Sequence, residues 1–262
     1  MSTKQKLDLE SETHVKNLRL NSYPGRGIIM GLSQSGELVQ IYWIMGRSTN
    51  SRNRVFVVEG NDLATRAADP SALSDPSLII YYPMRVRKNV HIVSNGDQTD
   101  TIADAYENGG WWPEEIPVRF SDALRARTYE PDPPHFTPRI SGIACAESAR
   151  AAKNGKGGWA YVLSILKSTS GVEAASQRNT YAYDCFLPSF GHLIHTYEGD
   201  AEILPTFFGE PRLVPILDSA ESNMKYYWEL LNHDNRVSMF VKHLDLESGK
   251  SNLIVQNRFT AV

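Results

Sequence analysis

Cysteine is almost missing from this chain: there are two in 262 residues, Cys145 and Cys185. That excludes a disulfide scaffold, and neither a CxxC pair nor a Cys/His cluster has the spacing of a zinc site. A surplus of positive charge is missing as well. Lys and Arg total 27 against 30 Asp and Glu, a formal net charge of -3, whereas a general nucleic-acid binder carries a basic surplus. Any anionic ligand must therefore be held by a local cluster of cations. No run approaches the roughly 18–20 apolar residues that a membrane span requires. The first twenty residues, MSTKQKLDLESETHVKNLRL, contain no apolar core of a secretory signal. The expectation is a cytoplasmic protein with neither nucleic-acid nor membrane partners. No GxxxxGK[ST] phosphate loop occurs.

What is present suits a folded chain: 41% hydrophobic and 22% charged residues, far from the composition of disorder. The prolines and glycines are spread out, so no linker divides the chain. We read residues 1–21 as a polar arm or peripheral helix and 22–262 as a single domain. From Ile28 the texture is β. GRGIIMGLSQSGELVQIYWIMGRS reads as two strands around a Ser35-Gly36 turn, and RVFVVEG, SLIIYYPMRV and NVHIVSNG as further strands. NDLATRAA reads as a short helix stopped before Pro70. Thr99 or Asp100 can cap a helix that ends at Asn108-Gly109, and Ser121 can cap another through FSDALRAR. ISGIAC and WAYVLSILKS read as strands, with the intervening KNGKGG as a loop. SAESNMKYYWELLN reads as a helix with Asp218 and Glu221 as a capping-box-like start. The tail reads as a hairpin around Ser248-Gly249. Strands come in consecutive runs rather than strict β-α alternation, which predicts an α+β fold with antiparallel sheets covered by helices.

Three segments carry residues suited to chemistry. GRSTNSRNR holds Arg47, Arg52 and Arg54, with Arg26 nearby in YPGRG. Arginine forks near Gly- and Ser-rich turns can grip a phosphate bidentately, or can equally form a solvated rim. VSNGDQTDTIADA places Thr99, Asp100 and Thr101 after an Asn95-Gly96 turn, where helix N–H groups attract anions or where the side chains simply cap. TYEPDPPHFTPRI sets Tyr129, Glu130 and Asp132 on a proline-stiffened loop before Thr137 and Arg139. A carboxylate there can serve as a general base if burial raises its pKa, or can be an exposed acidic turn. The remaining candidates are weaker. Cys145 reads as a buried structural thiol. His192 and His195 face opposite sides of a strand and lack a third ligand, so no metal site is expected. Ser2 and Thr3 sit in the polar arm and make poor N-terminal nucleophiles.

Taken together, YPGRG, GRSTNSRNR, the Tyr81 strand, VSNGDQTDTIADA and YEPDPPHFTPRI resemble, in that order, the archaeal-type IMP cyclohydrolases over roughly residues 22–145. The resemblance implies a four-layer αββα sandwich similar to N-terminal-nucleophile hydrolases but without the self-processing nucleophile. It implies closure of 5-formamidoimidazole-4-carboxamide ribotide to IMP, the last step of purine synthesis, by a homo-oligomer with no cofactor and no metal. On this resemblance Arg26, Arg47 and Arg52 bind phosphate or polar ring substituents, and Asn95, Thr99, Asp100 and Thr101 line the pocket. Glu130 transfers a proton, Tyr81 orients or acts as a second acid, and Arg139 holds Glu130 or the developing oxyanion. Arg54 has no clear counterpart. The N-terminal arm, an extra residue in the EPDPPHF loop and a divergent C-terminal half depart from the family pattern. Two other functions remain open at this point: an amidohydrolase of a related nucleotide or amide on the same scaffold, and a non-catalytic purine-nucleotide-binding protein.

Overall fold

The computed structural model describes residues 1–72, 76, 79–169 and 172–260. Two antiparallel sheets organise the chain. In the first the strands lie in the order β11 (Arg212–Pro215), β10 (Phe190–His195), β1 (Arg26–Leu32), β2 (Leu38–Met45), β12 (Arg236–Leu244), β13 (Ser251–Asn257). In the second the order is β3 (Val55–Glu59), β4 (Asp62–Arg66), β5 (Met84–Arg87), β6 (Val90–Ser94), β7 (Arg139–Cys145), β8 (Tyr161–Thr169), β9 (Val172–Tyr183). Six α-helices accompany them among the described residues: α1 (Thr3–Leu20), α2 (Thr49–Arg52), α3 (Gln98–Gly109), α4 (Ile116–Ala123), α5 (Ala146–Lys153) and α6 (Ala220–Leu230). The α+β architecture with antiparallel sheets is as the strand texture predicts. No helix among the described residues is long and apolar enough to cross a membrane.

The period-2 alternation of β2 shows why the sheets face each other. All eight of its residues are buried. Tyr42 and Ile44 point into a core shared with Phe56, Leu63, Met84 and Leu163 of the opposite sheet. Val39, Ile41, Trp43 and Met45 point the other way, into a second cluster with Val15 and Leu18 of α1 and Met224 and Tyr227 of α6. A third cluster joins Val90, Ile92 and Ile143 of the second sheet to Ile102 of α3 and Phe120 of α4. Strands buried on both faces are largely apolar, as β2 and β7 are apart from Gln40, Arg139 and Ser141.

Several local expectations need correction. NDLATRAA is not a helix: Asp62–Arg66 forms β4, paired with β3 across a turn in which Gly60 has φ 62°. A glycine-centred turn and cross-strand pairing outweigh the helical preference of Leu and Ala. Of the run SLIIYYPMRV, only Met84 onward is strand; Ser77 and Leu78 lie outside the described residues. α3 begins at Gln98 with Asp97 at the cap position, and Thr99 bonds the Gly96 carbonyl instead of capping. α4 starts at Ile116, which places Ser121 inside it. Ser219, not Asp218, caps α6. The polar arm is a docked helix: Ser2 and Gln5 form its capping box, Val15 and Leu18 are buried, and Asn21 donates to the Tyr197 carbonyl at 2.9 Å. The two hairpins, around Ser35-Gly36 and Ser248-Gly249, form as expected.

Candidate active site

The inner row of β1 runs Arg26, Ile28, Met30, Leu32, so the apolar core between the sheets ends in an arginine. The glycines flanking Arg26 explain the YPGRG motif. A Cβ on Gly25, whose φ is 71°, would lie 2.1 Å from Thr196 Oγ1, and one on Gly27 would lie 2.0 Å from the Trp43 ring. Only glycine lets the strand press against both neighbours, and that contact aims the residue between them inward.

At this end of the sandwich a cavity of about 300 Å³ opens, within the range of small-molecule sites. Arg26, Arg47 and Arg54 line it, with Tyr23, Tyr197 and His135. Arg54 is 1% exposed, and its Nε donates to the Ser51 carbonyl at 2.9 Å. Burial, then the neighbouring Arg26 charge, pulls its pKa below the ordinary guanidinium value. Burial opposes the charge of Arg26 too, but the surrounding Tyr23, Tyr197, Tyr81 and Tyr42 hydroxyls hold its pKa above that value. The Nε of Arg26 is buried without a partner. Among the described residues neither Arg26 nor Arg54 pairs with an acid. Two like charges facing one cavity, Arg54 buried and Arg26 half-buried, carry a desolvation penalty that an anion can offset.

Arg47 sits at the rim, where it bonds Asp200 at 2.6 Å and the Ala201 carbonyl at 2.9 Å and lies over the Tyr23 ring. Asp132 lines the opposite wall, its carboxylate accepting from the Thr137 amide at 2.7 Å and hydroxyl at 2.5 Å. Thr137 also bonds the Tyr197 hydroxyl. Burial raises the Tyr197 and Tyr42 hydroxyls well above their ordinary pKa, so both stay neutral.

Glu130, Tyr81 and Arg139 do not line the cavity, but Glu130 and Tyr81 lie within electrostatic reach of Arg26, and Arg139 contacts Glu130. The Tyr81 hydroxyl bonds that of Tyr42 at 2.8 Å. Arg139 Nη1 contacts Glu130 at 2.9 Å, Asp97 at 2.7 Å and Gln98 at 2.7 Å. The Glu130 side chain is 13% exposed. Burial raises its pKa above 4.5, against the opposing pull of Arg139 and then Arg26. The structure thus brings Arg26, Arg47, Arg54, Tyr81, Glu130 and Arg139 to one end of the sandwich.

Other sequence candidates lie elsewhere. Arg52 turns away from this cavity: its Nε donates to the Gly46 carbonyl and Nη2 to Asn235, and it lines a different surface depression. Asn95 is a brace, with its amide donating to the Pro138 carbonyl and its oxygen accepting from the Ile140 amide, both at 2.8 Å. Thr99 is buried against Ser94, Asp100 pairs with Arg85, and Thr101 with Arg127. None of the four faces the cavity. The residues that sequence reasoning passed over are Tyr23, Tyr42 and Tyr197, together with Arg54, which it ranked below Arg52. Alternation along β1 and β2 assigns Tyr42 to the inner face with Arg26; nothing local marks Tyr197, 60 residues from its partner Thr137.

The comparisons with known proteins agree on the family. Residues 23–249 match the family model described as IMP cyclohydrolase-like protein, well past the segment in which the motifs lie. The chain is 33% identical to an IMP cyclohydrolase of Methanopyrus kandleri over 129 residues, 48% of this chain and 60% of that protein. It is also 33% identical to one of Methanothrix thermoacetophila over 128 residues, with the same coverage, and 31% identical to one of Methanococcus maripaludis over 130 residues. The chain thus spans about 60% of the length of these curated relatives. With 227 consecutive residues matched, this chain belongs to the IMP cyclohydrolase-like family.

Proposed function

We propose that the protein is an IMP cyclohydrolase, converting 5-formamidoimidazole-4-carboxamide ribotide to IMP and water. The observation that carries this reading is the pair of arginines without an acid among the described residues, buried Arg54 and half-buried Arg26, on a cavity next to a carboxylate whose pKa is raised. The ribotide brings the dianionic phosphate and polar ring substituents that such a cavity lacks. Arg47, with Ser48 and Ser51 of the α2 turn, suits the phosphate at the rim. Arg26 and Arg54, deeper in, suit the formyl and carboxamide oxygens.

In the reaction the carboxamide nitrogen attacks the formyl carbon of the same molecule. One proton from that nitrogen and one from the formamido nitrogen leave with the formyl oxygen as water. Holding both groups in register supplies much of the acceleration, because they already share one ring. Glu130, whose basicity burial raises, accepts the carboxamide proton, and the Arg26 guanidinium stabilises charge on the formyl oxygen. The Tyr81–Tyr42 hydroxyl pair delivers a proton to the departing oxygen. Arg139 acts on Glu130, fixing its orientation. The finer fold assignment belongs to the same reading: we take the two sheets between helices as an αββα sandwich similar to the N-terminal-nucleophile hydrolases, and Arg26 at the end of the inner row, where the core opens, supports placing the site there.

The test is to add purified protein to the formamido ribotide and follow IMP by absorbance, with a chelator present. Turnover that is lost in Arg26→Met is the expected result. Tight ribotide binding without IMP formation would overturn the enzyme in favour of a binding protein.

A further inference from the structure

A buried cation, Lys242, lies at the other end of the sandwich. In the β2–β12 ladder, Met45 and Arg236 pair at the arginine end, whereas Gln40 and Lys242 pair near the far end. Lys242 shares the inner face of β12 with Phe240 and Leu244, and is 3% exposed. Its Nζ meets Nδ1 of His91, on β6 of the opposite sheet, at 2.8 Å. The two side chains therefore bridge the sheets where the apolar core stops.

A cavity of about 610 Å³ opens over this pair. Its lining includes Lys88, Asn61, Asn89 and Asn252 besides Lys242 and His91, and contains no carboxylate. The nearby acid, Asp62, is already engaged by Arg85 at 2.9 Å and Arg87 at 3.0 Å. Among the described residues Lys242 forms no ion pair, so the His91 nitrogen is its single protein partner and two of its three N–H donors lack one. Burial lowers Lys242 to about 8 and His91 to about 3. At neutral pH the lysine is thus largely an ammonium, and the imidazole is neutral and able to accept its proton. A buried ammonium stripped of water and facing an open, acid-free space has the same unmet demand as the arginines at the opposite end.

We propose that this second cavity is a binding site for a small oxyanion, a carboxylate or phosphate group, held by Lys242 together with the His91 it bonds. The amides of Asn61, Asn89 and Asn252 supply neutral donors for the rest of such a ligand, and Lys88 adds a cation at the mouth. The site shares no residue with the arginine cavity, so it stands or falls separately from the proposed reaction.

The experiment is a titration of the full chain at neutral pH with inorganic phosphate and, separately, with formate, reading the imidazole resonances of His91 and His135 by NMR. Chloride at matched ionic strength is the control. A saturable His91 shift with either oxyanion but not chloride is expected. It should persist in Arg54→Met, which disables the other cavity, and weaken about tenfold or more in Lys242→Met. Phosphate alone, formate alone or both distinguishes the ligand class. No saturable His91 shift with either anion, or a shift equally produced by chloride, overturns the proposal even if Lys242→Met does not fold. So does a shift that survives Lys242→Met unchanged.

Discussion

Two sets of arginines in this molecule behave in opposite ways. Along α3, Arg85 spans Asp62 and Asp100, Arg87 spans Asp62 and Glu107, and Arg127 meets Asp97 and Thr101. Each of these arginines is answered by the chain itself, and the ion pairs tie the helix to its sheet. At the end of the sandwich Arg54 is more deeply buried and Arg26 half-buried, yet among the described residues neither has an acid. A fold under selection for stability alone would neutralise or remove such groups, since an unpaired buried charge is costly. The pairing of an arginine, not its presence in a motif, separates structure from binding here. Arg139 joins the two sets, answering Asp97 on one side and Glu130 on the other.

The sharpest test of the division acts at that junction. Glu130→Gln should lower kcat by about 10²–10⁴-fold with ribotide affinity nearly unchanged, if Glu130 transfers a proton; steady-state kinetics that leave kcat intact would move it into the structural set. Arg139→Met should destabilise by about 3 kcal/mol in urea unfolding, because it strands the buried Glu130 carboxylate. A loss within experimental error would mean that the carboxylate simply takes up a proton in the variant. Arg54→Met should do the reverse. Ribotide binding weakens by about 2 kcal/mol, roughly 30-fold, as a charge-assisted contact is lost, while the melting temperature holds or rises. A clear fall in stability would place Arg54 with the paired arginines. Arg85→Ala, on a partly exposed lattice, should cost at most about 1 kcal/mol and leave ribotide binding alone.

How far this division could be read from residues depends on what each residue contacts. Turn chemistry and alternation within one hairpin are local, so β1–β2 and β12–β13 are legible, as is the YPGRG arginine at the end of an inward row. The choice between Arg52 and Arg54 is not. One turn of helix, Thr49–Arg52, sends Arg52 back to Gly46 and Asn235 and leaves Arg54 facing the cavity. That orientation is set by Ser51 and by Ser238, the latter 184 residues away. VSNGDQTDTIADA misled because its crowd of polar residues is consumed internally, Asn95 by Pro138 and Ile140 and Asp100 by Arg85. A sequence shows donors and acceptors but not which have already met. The same holds for Tyr197 and Lys242, whose significance comes wholly from partners distant in sequence.

The smallest effect concerns Glu130 itself, and its sign decides which set of charges governs this residue. Burial raises its folded pKa above 4.5, and the Arg139 and Arg26 charges only partly offset this. A group with a raised folded pKa gives its full stabilising contribution below the unfolded value and loses it as pH rises through the folded one. The stability of the protein relative to Glu130→Gln should therefore fall as the pH rises above the ordinary glutamate value and through the raised folded one. The acid limb of kcat should lie above the ordinary glutamate range and vanish in that variant. If Arg139 ruled instead, the folded pKa would be depressed, and the relative stability would rise with pH only below the ordinary glutamate value and stay level above it. Paired unfolding curves at several pH values separate the two outcomes: a falling difference marks a carboxylate poised to take a proton, a rising one marks a buried ion pair of the α3 kind.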